Sequence, residues 1–139
     1  MEVENYSARI ALIIGRSSGG QGLEPFTKLE KDLAAVRQGL LGVGFRDSEI
    51  FELCDRTNAE LEEDVGAEQI DQIQEFSDVG LPVLLFVFYI GHGVVKRGLV
   101  HCVDQNGDDG YNLEGFVQAC ALMPNIYTLC VFDCCRRES

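Results

Sequence analysis

Val83–Ile90 (VLLFVFYI) is an unbroken apolar run, rich in β-branched and aromatic side chains. Such a run suits a strand covered on both faces, because a strand with one wet face would alternate polar and apolar residues. Two further runs read the same way: Ala8–Gly15 (ARIALIIG) and Ile126–Phe132 (IYTLCVF). Ile50–Cys54 reads as a short strand and Leu99–Val103 as a minor strand or hairpin arm. Between them lie helical patterns. Lys28–Leu41 carries Leu29, Leu33, Val36, Leu40 and Leu41 at helical spacing, and Gly42-Val43-Gly44 stops it. Thr57 with Glu60 three residues on is a capping box that opens a second helix toward Phe76, with an interruption near Gly66. Leu113–Leu122 is a short helix broken by Pro124-Asn125. The order βαβαβ(β)αβ predicts an α/β fold, a three-layer α/β/α sandwich on a mainly parallel sheet. In such sheets ligand sites lie beyond the carboxyl ends of the strands.

At 139 residues, 46% of them hydrophobic, the chain is expected to form one domain with its own core. Its 23 acidic and 11 basic residues give a net charge of −12, which argues against nucleic acid or an anionic membrane as partner. The N-terminus Met1-Glu2-Val3-Glu4 is acidic where a secretory signal is basic. The longest apolar stretch, Val79–Ile90, contains Pro82 and is too short to span a bilayer. Most of the six cysteines (Cys54, Cys102, Cys120, Cys130, Cys134, Cys135) sit inside apolar runs, as buried free thiols do. These features predict a cytoplasmic, reduced protein.

Gly91-His92-Gly93 follows one buried strand, where it reads as a glycine turn, and Asp133-Cys134-Cys135-Arg136 follows another. Both fall at strand ends, where the fold would place a site. A thiol with a pKa of about 8.5 supplies little thiolate at neutral pH, and a neighbouring imidazole corrects this by accepting its proton. The same imidazole then protonates a leaving group. Acyl transfer also needs donors for an oxyanion. Gly93, without a Cβ, offers an approachable N–H, and the cysteine's own N–H is a second donor. The chemistry is that of a cysteine hydrolase.

The Gly-His-Gly after VLLFVFYI and the Asp-Cys-Cys-Arg after YTLCVF resemble the caspase, metacaspase and paracaspase superfamily of cysteine peptidases. The likeness extends to ARIALIIG, the Leu29–Asp32 stretch and Leu99–Asp104, and covers essentially the whole chain. It implies that His92 is the catalytic histidine. It also implies that the nucleophile is the residue two after an acidic or glutamine position, which makes Cys135 the nucleophile and Cys134 the middle residue. Alternation along a strand agrees that only one of the two cysteines faces His92; Cys135 is preferred and Cys134 is the alternative.

In true caspases glutamine stands two residues before the cysteine, and arginines line a pocket for aspartate. Here that position is Asp133, and Phe26 and Thr27 stand where caspases carry a pocket arginine. By resemblance to metacaspases and paracaspases, a buried Asp133 at the pocket floor and Asp32 from the first helix select arginine or lysine. The family fold continues with further strands and helices that build much of the cleft, so residues 1–139 resemble the large-subunit region, without the small-subunit half. The expected partners are a protein or peptide substrate and a small-subunit segment or caspase-like chain. The competing reading is an inactive caspase-like scaffold that regulates an active relative.

No cofactor is expected. Calcium activation is known in some metacaspases, but no residues here identify such a site. Asp104-Gln105-Asn106-Gly107-Asp108 begins like a calcium loop, then has Asp109 in place of the turn glycine and Gly115 in place of the bidentate glutamate, so it reads as a polar surface loop. Gly15–Gly20 has the glycine spacing of a phosphate loop but lacks its Lys-Ser/Thr. No spacing suggests a metal site, and His101 reads as structural.

Overall fold

The computed structural model describes residues 5–17 and 29–138, with 135–138 as backbone. Phe26, Thr27, Lys28 and most of Arg16–Phe26, a Gly- and Ser-rich stretch whose sequence reads as a loop, lie outside them. The element order is β1 (Ala8–Gly15), α1 (Leu29–Gly42), β2 (Ile50–Cys54), α2 (Asn58–Glu63), α3 (Ile70–Asp78), β3 (Val83–Lys96), β4 (Leu99–Val103), α4 (Leu113–Ala121) and β5 (Ile126–Glu138). A short 3₁₀ turn precedes β2, and a π-turn over Asp64–Gln69 joins α2 to α3, at the interruption expected near Gly66. The Thr57 side chain accepts from Glu60 N–H and the Glu60 carboxylate accepts from Thr57 N–H, which completes the capping box.

β2, β1, β3 and β5 run parallel, and β4 folds back antiparallel on β3. A strand has two hydrogen-bonding edges. One edge of β3 carries β5 from Val83 to Val95; the other carries β1 as far as Ile90 and then β4 from His92 to Lys96. β3 is therefore walled on both sides over nearly its whole length. Its turn into β4 is the two-residue Arg97-Gly98, both at positive φ (54° and 77°), the geometry that matches the natural twist of a hairpin.

Alternation sends opposite side chains of these strands into two cores. Leu12, Ile14, Leu85, Val87 and Tyr89 pack under α2, α3 and α4, with Leu61, Ile73, Leu113 and Phe116. Ala11, Ile13, Leu84, Phe88 and Ile90 pack under α1, with Leu29, Leu33 and Leu40. These are the three layers expected from the sequence. No described helix is long and apolar enough to cross a membrane.

Two strands outrun their expected ends. β3 continues through Gly91-His92-Gly93, so that segment is strand and not a glycine turn, and β5 continues to Glu138. Glycine is kept in a strand interior where other groups come too close for a side chain. A Cβ at Gly91 would lie 2.6 Å from the Tyr89 hydroxyl, and one at Gly93 would lie 3.2 Å from Cys134 Sγ. Gly91 makes room for the Tyr89 hydroxyl, Gly93 sits in tight contact with Cys134, and neither turns the chain.

β3 makes both cores, so truncating it has a large cost. Leu85→Ala, at a fully buried site, should destabilise the fold by about 2–5 kcal/mol in urea unfolding with an unchanged m-value.

Candidate active site

Gly15, Ile90 and Asp133 form one row across β1, β3 and β5, at the carboxyl end of β1. Beyond this row, among the described residues, only β3, β5 and the β4 arm continue. There His92 and Cys135 are Cα partners in neighbouring parallel strands, and Gly91 is the partner of Cys134. Register partners in a parallel pair lie on one face of the sheet, and successive residues lie on opposite faces. Cys134 packs against the core that contains Tyr89 and Cys102. Position 135 consequently falls on the other face, the α1 face, together with His92. His92 is half-buried.

Asp133 also lies on the α1 face but is exposed, where a buried carboxylate was expected. The cause is the outer edge of the sheet. Among the described residues β5 pairs with β3 alone, and Tyr127, Leu129 and Val131 on the same face are likewise exposed. Tyr6, edge-on to Tyr127 at 5.6 Å, covers only the start of the strand. Asp32 is half-buried in the first turn of α1, the helix that packs on this face. A cleft of about 410 Å³ opens between the start of α1 and the ends of β1 and β2, lined by Ser17, Leu29, Lys31 and Asp55 among others; neither Asp32 nor Asp133 lines it.

The sequence reading missed a polar network on the opposite face. Arg16, placed in a loop by its sequence, is fully buried at the end of β1. Its Nε donates to the Arg56 carbonyl (3.0 Å) and its Nη2 to Asn58 Oδ1 (2.7 Å). Asn58 N–H donates to Asp104 Oδ2 (2.9 Å), and its Nδ2 donates to the carbonyls of Cys102 and Asp108. Asp104 is 2% exposed, which corrects the surface-loop reading at that one residue; Gln105 to Asp108 are exposed as expected. Its Oδ1 accepts from the N–H groups of Asn106 and Asp108, so the carboxylate closes its own loop. The network ties β1, the α2 start and the β4–α4 loop together behind His92. An arginine directly after an apolar strand was the available signal, since a guanidinium there must find acceptors.

The thiols divide by environment. Cys102 and Cys120 are buried, Cys134 is half-buried, and Cys54 and Cys130 are exposed, contrary to the expectation that most are buried. Burial pushes the Cys102 thiol up to about 12, with the nearby Arg16 guanidinium opposing, and pushes Cys120 up to about 11. Burial, then the carboxylates of Glu52 and Asp55, raise Cys54; burial and then Glu114 raise Cys130. All four are poor nucleophiles at neutral pH.

A family model described as Caspase domain matches residues 8–139. The chain belongs to the caspase-domain family. The family is one of cysteine peptidases, and the mixed α/β fold with its mostly parallel sheet agrees with it. A search of curated proteins returned no match.

Asp108 is held below the usual carboxylate range, first by the Gly110 N–H and then by Asn58 Nδ2. Asn58→Ala removes the second donor and leaves acceptors of a buried network unpaired. It should raise the Asp108 pKa toward its ordinary value, read by NMR titration, and destabilise the fold by about 1–3 kcal/mol. A lowered folded pKa stabilises above the unfolded value of about 3.9 and ceases to do so as pH falls through the folded value, so this acid-side contribution should shrink in the variant.

Proposed function

We propose that the chain carries the catalytic residues of a caspase-family cysteine endopeptidase that cleaves protein or peptide chains after arginine or lysine. The observation that supports this most is the register of His92 with Cys135 on one sheet face, in a chain of this family. In the proposed reaction His92 takes the Cys135 proton, and the thiolate sulfur bonds to the carbonyl carbon of the basic residue. The N–H groups of Gly93 and Cys135 hold the tetrahedral oxyanion. Collapse breaks the C–N bond, and the proton on His92 leaves with the amine. Water, deprotonated by His92, then hydrolyses the thioester and returns the thiol. Asp133 and Asp32 supply the negative charge that attracts the basic side chain.

Both edges of β3 are occupied at Gly93, by Cys102 of β4 and Arg136 of β5. On this proposal a substrate carbonyl competes with one of those ladders, and strand pairing loosens locally when substrate binds. A caspase-like segment along the exposed Tyr127–Val131 edge of β5 would complete the cleft. The same occupied edges favour a second reading, a catalytically silent caspase-like module that acts through a partner.

Peptides ending in Arg, Lys or Asp before a fluorogenic amine separate these readings. The endopeptidase reading expects hydrolysis after Arg and Lys and little after Asp, with loss of about 10³-fold or more in Cys135→Ala. Activity that survives in Cys135→Ala rejects Cys135 as nucleophile. A folded protein that turns over none of the three supports the silent module. Asp133→Asn should lower kcat/KM for the Arg substrate by about tenfold or more, and equal activity in that variant removes Asp133 from the pocket.

A further inference from the structure

Tyr89 is fully buried in β3, on the face opposite His92, yet its hydroxyl reaches the histidine's main chain. Tyr89 Oη donates to the His92 carbonyl at 2.6 Å. The path exists only because residue 91 is glycine. A Cβ there would lie 2.6 Å from Oη and 2.9 Å from Cζ, closer than real Cβ contacts. The phenol is a lasting donor: burial raises its pKa, with a smaller contribution from Cys102, while Arg16 opposes. A buried hydroxyl ordinarily needs a partner; here the carbonyl of a residue in the proposed dyad is one, and the Cys102 thiol beside it is another.

The peptide unit is planar, so a bond that fixes the His92 C=O also fixes the direction of the Gly93 N–H, the proposed oxyanion donor. It also limits the ψ rotation of His92, and with it the placement of the imidazole relative to β5. We infer that Tyr89 is a positioning residue for the His92–Gly93 peptide, acting through Gly91 as the gap that admits its hydroxyl. The inference rests on the proposed role of His92, but the geometry can be tested without it.

Tyr89→Phe in the full chain removes one oxygen and keeps the ring. If Tyr89 only fills the core, the variant loses some stability and its kinetics are unchanged. If it positions the peptide, kcat for the Arg substrate falls about tenfold while KM is little changed, because geometry at the reacting centre is lost and substrate binding is not. An unchanged kcat in folded Tyr89→Phe overturns the inference.

A second readout does not need activity. The chain has two histidines, His92 and His101, so its imidazole Cε1–H NMR signals are assigned by His92→Ala. Tyr89→Phe should shift the His92 signal and leave that of His101 in place; an unmoved His92 signal overturns the positioning role. If the wild-type chain is inactive while the His92 signal moves, the peptidase reading fails and the positioning stands. Gly91→Ala gives an independent check. It should cost more activity, or move the His92 signal further, in the Tyr89 background than in Tyr89→Phe, because part of its clash is with the lost oxygen. Additive effects contradict the coupling.

Discussion

The parallel pairing of β3 with β5 is the constraint on which the molecule depends. It runs from Val83 to Val95 on one strand and from Ile126 to Glu138 on the other. It fixes the sheet's inner row, divides the side chains between two cores and makes His92 and Cys135 register partners. The consequence is strict because side chains alternate with a period of two. A slip of one residue would move Cys134 onto the His92 face and Cys135 into the Tyr89 core. Ile126, Phe132 and Cys134, which pack into the Tyr89 core, oppose such a slip, since it would carry them to the opposite face.

The second constraint is spatial economy behind the site. Arg16, Asn58 and Asp104 hold the ends of β1, α2 and β4 in one hydrogen-bonded block. Tyr89 passes from that side of the sheet to the His92 carbonyl through the gap at Gly91. The histidine is therefore supported from the face opposite its own side chain. The acidic residues on the α1 face are less enclosed, because the outer edge of β5 is open among the described residues.

Much of the fold was legible in the residues. Continuous apolar runs marked β1, β3 and β5, and the Thr57–Glu60 box marked the start of α2, because both signals act through local physics that context seldom overrides. The candidate site residues His92 and Cys135 stood out by following apolar runs, though the strands continue through them. What could not be read was why the glycines are there. Flanking a histidine they suggest a turn, and only the approach of the Tyr89 hydroxyl shows that Gly91 makes room within a strand, with Gly93 in tight contact with Cys134 Sγ. Asp104 and Arg16 were misread for a related reason. A charged side chain in a Gly- and Asp-rich segment looks solvated until its buried partners, distant in sequence, are in place. The exposure of Asp133 depends on what covers an edge strand, which no pattern within that strand records.

The central claim is that His92 and Cys135 work as one thiol–imidazole pair. Its most direct test is the pH dependence of alkylation at each cysteine, followed by mass spectrometry in the wild-type chain and in His92→Ala. Cys54, Cys130 and the buried Cys102 and Cys120, with raised pKa values, serve as internal standards. The account expects Cys135 to react first at neutral pH, with an inflection below the free-thiol value of about 8.5 that moves up to or above it in His92→Ala. Faster reaction at Cys134, or a Cys135 profile indifferent to His92, would contradict it.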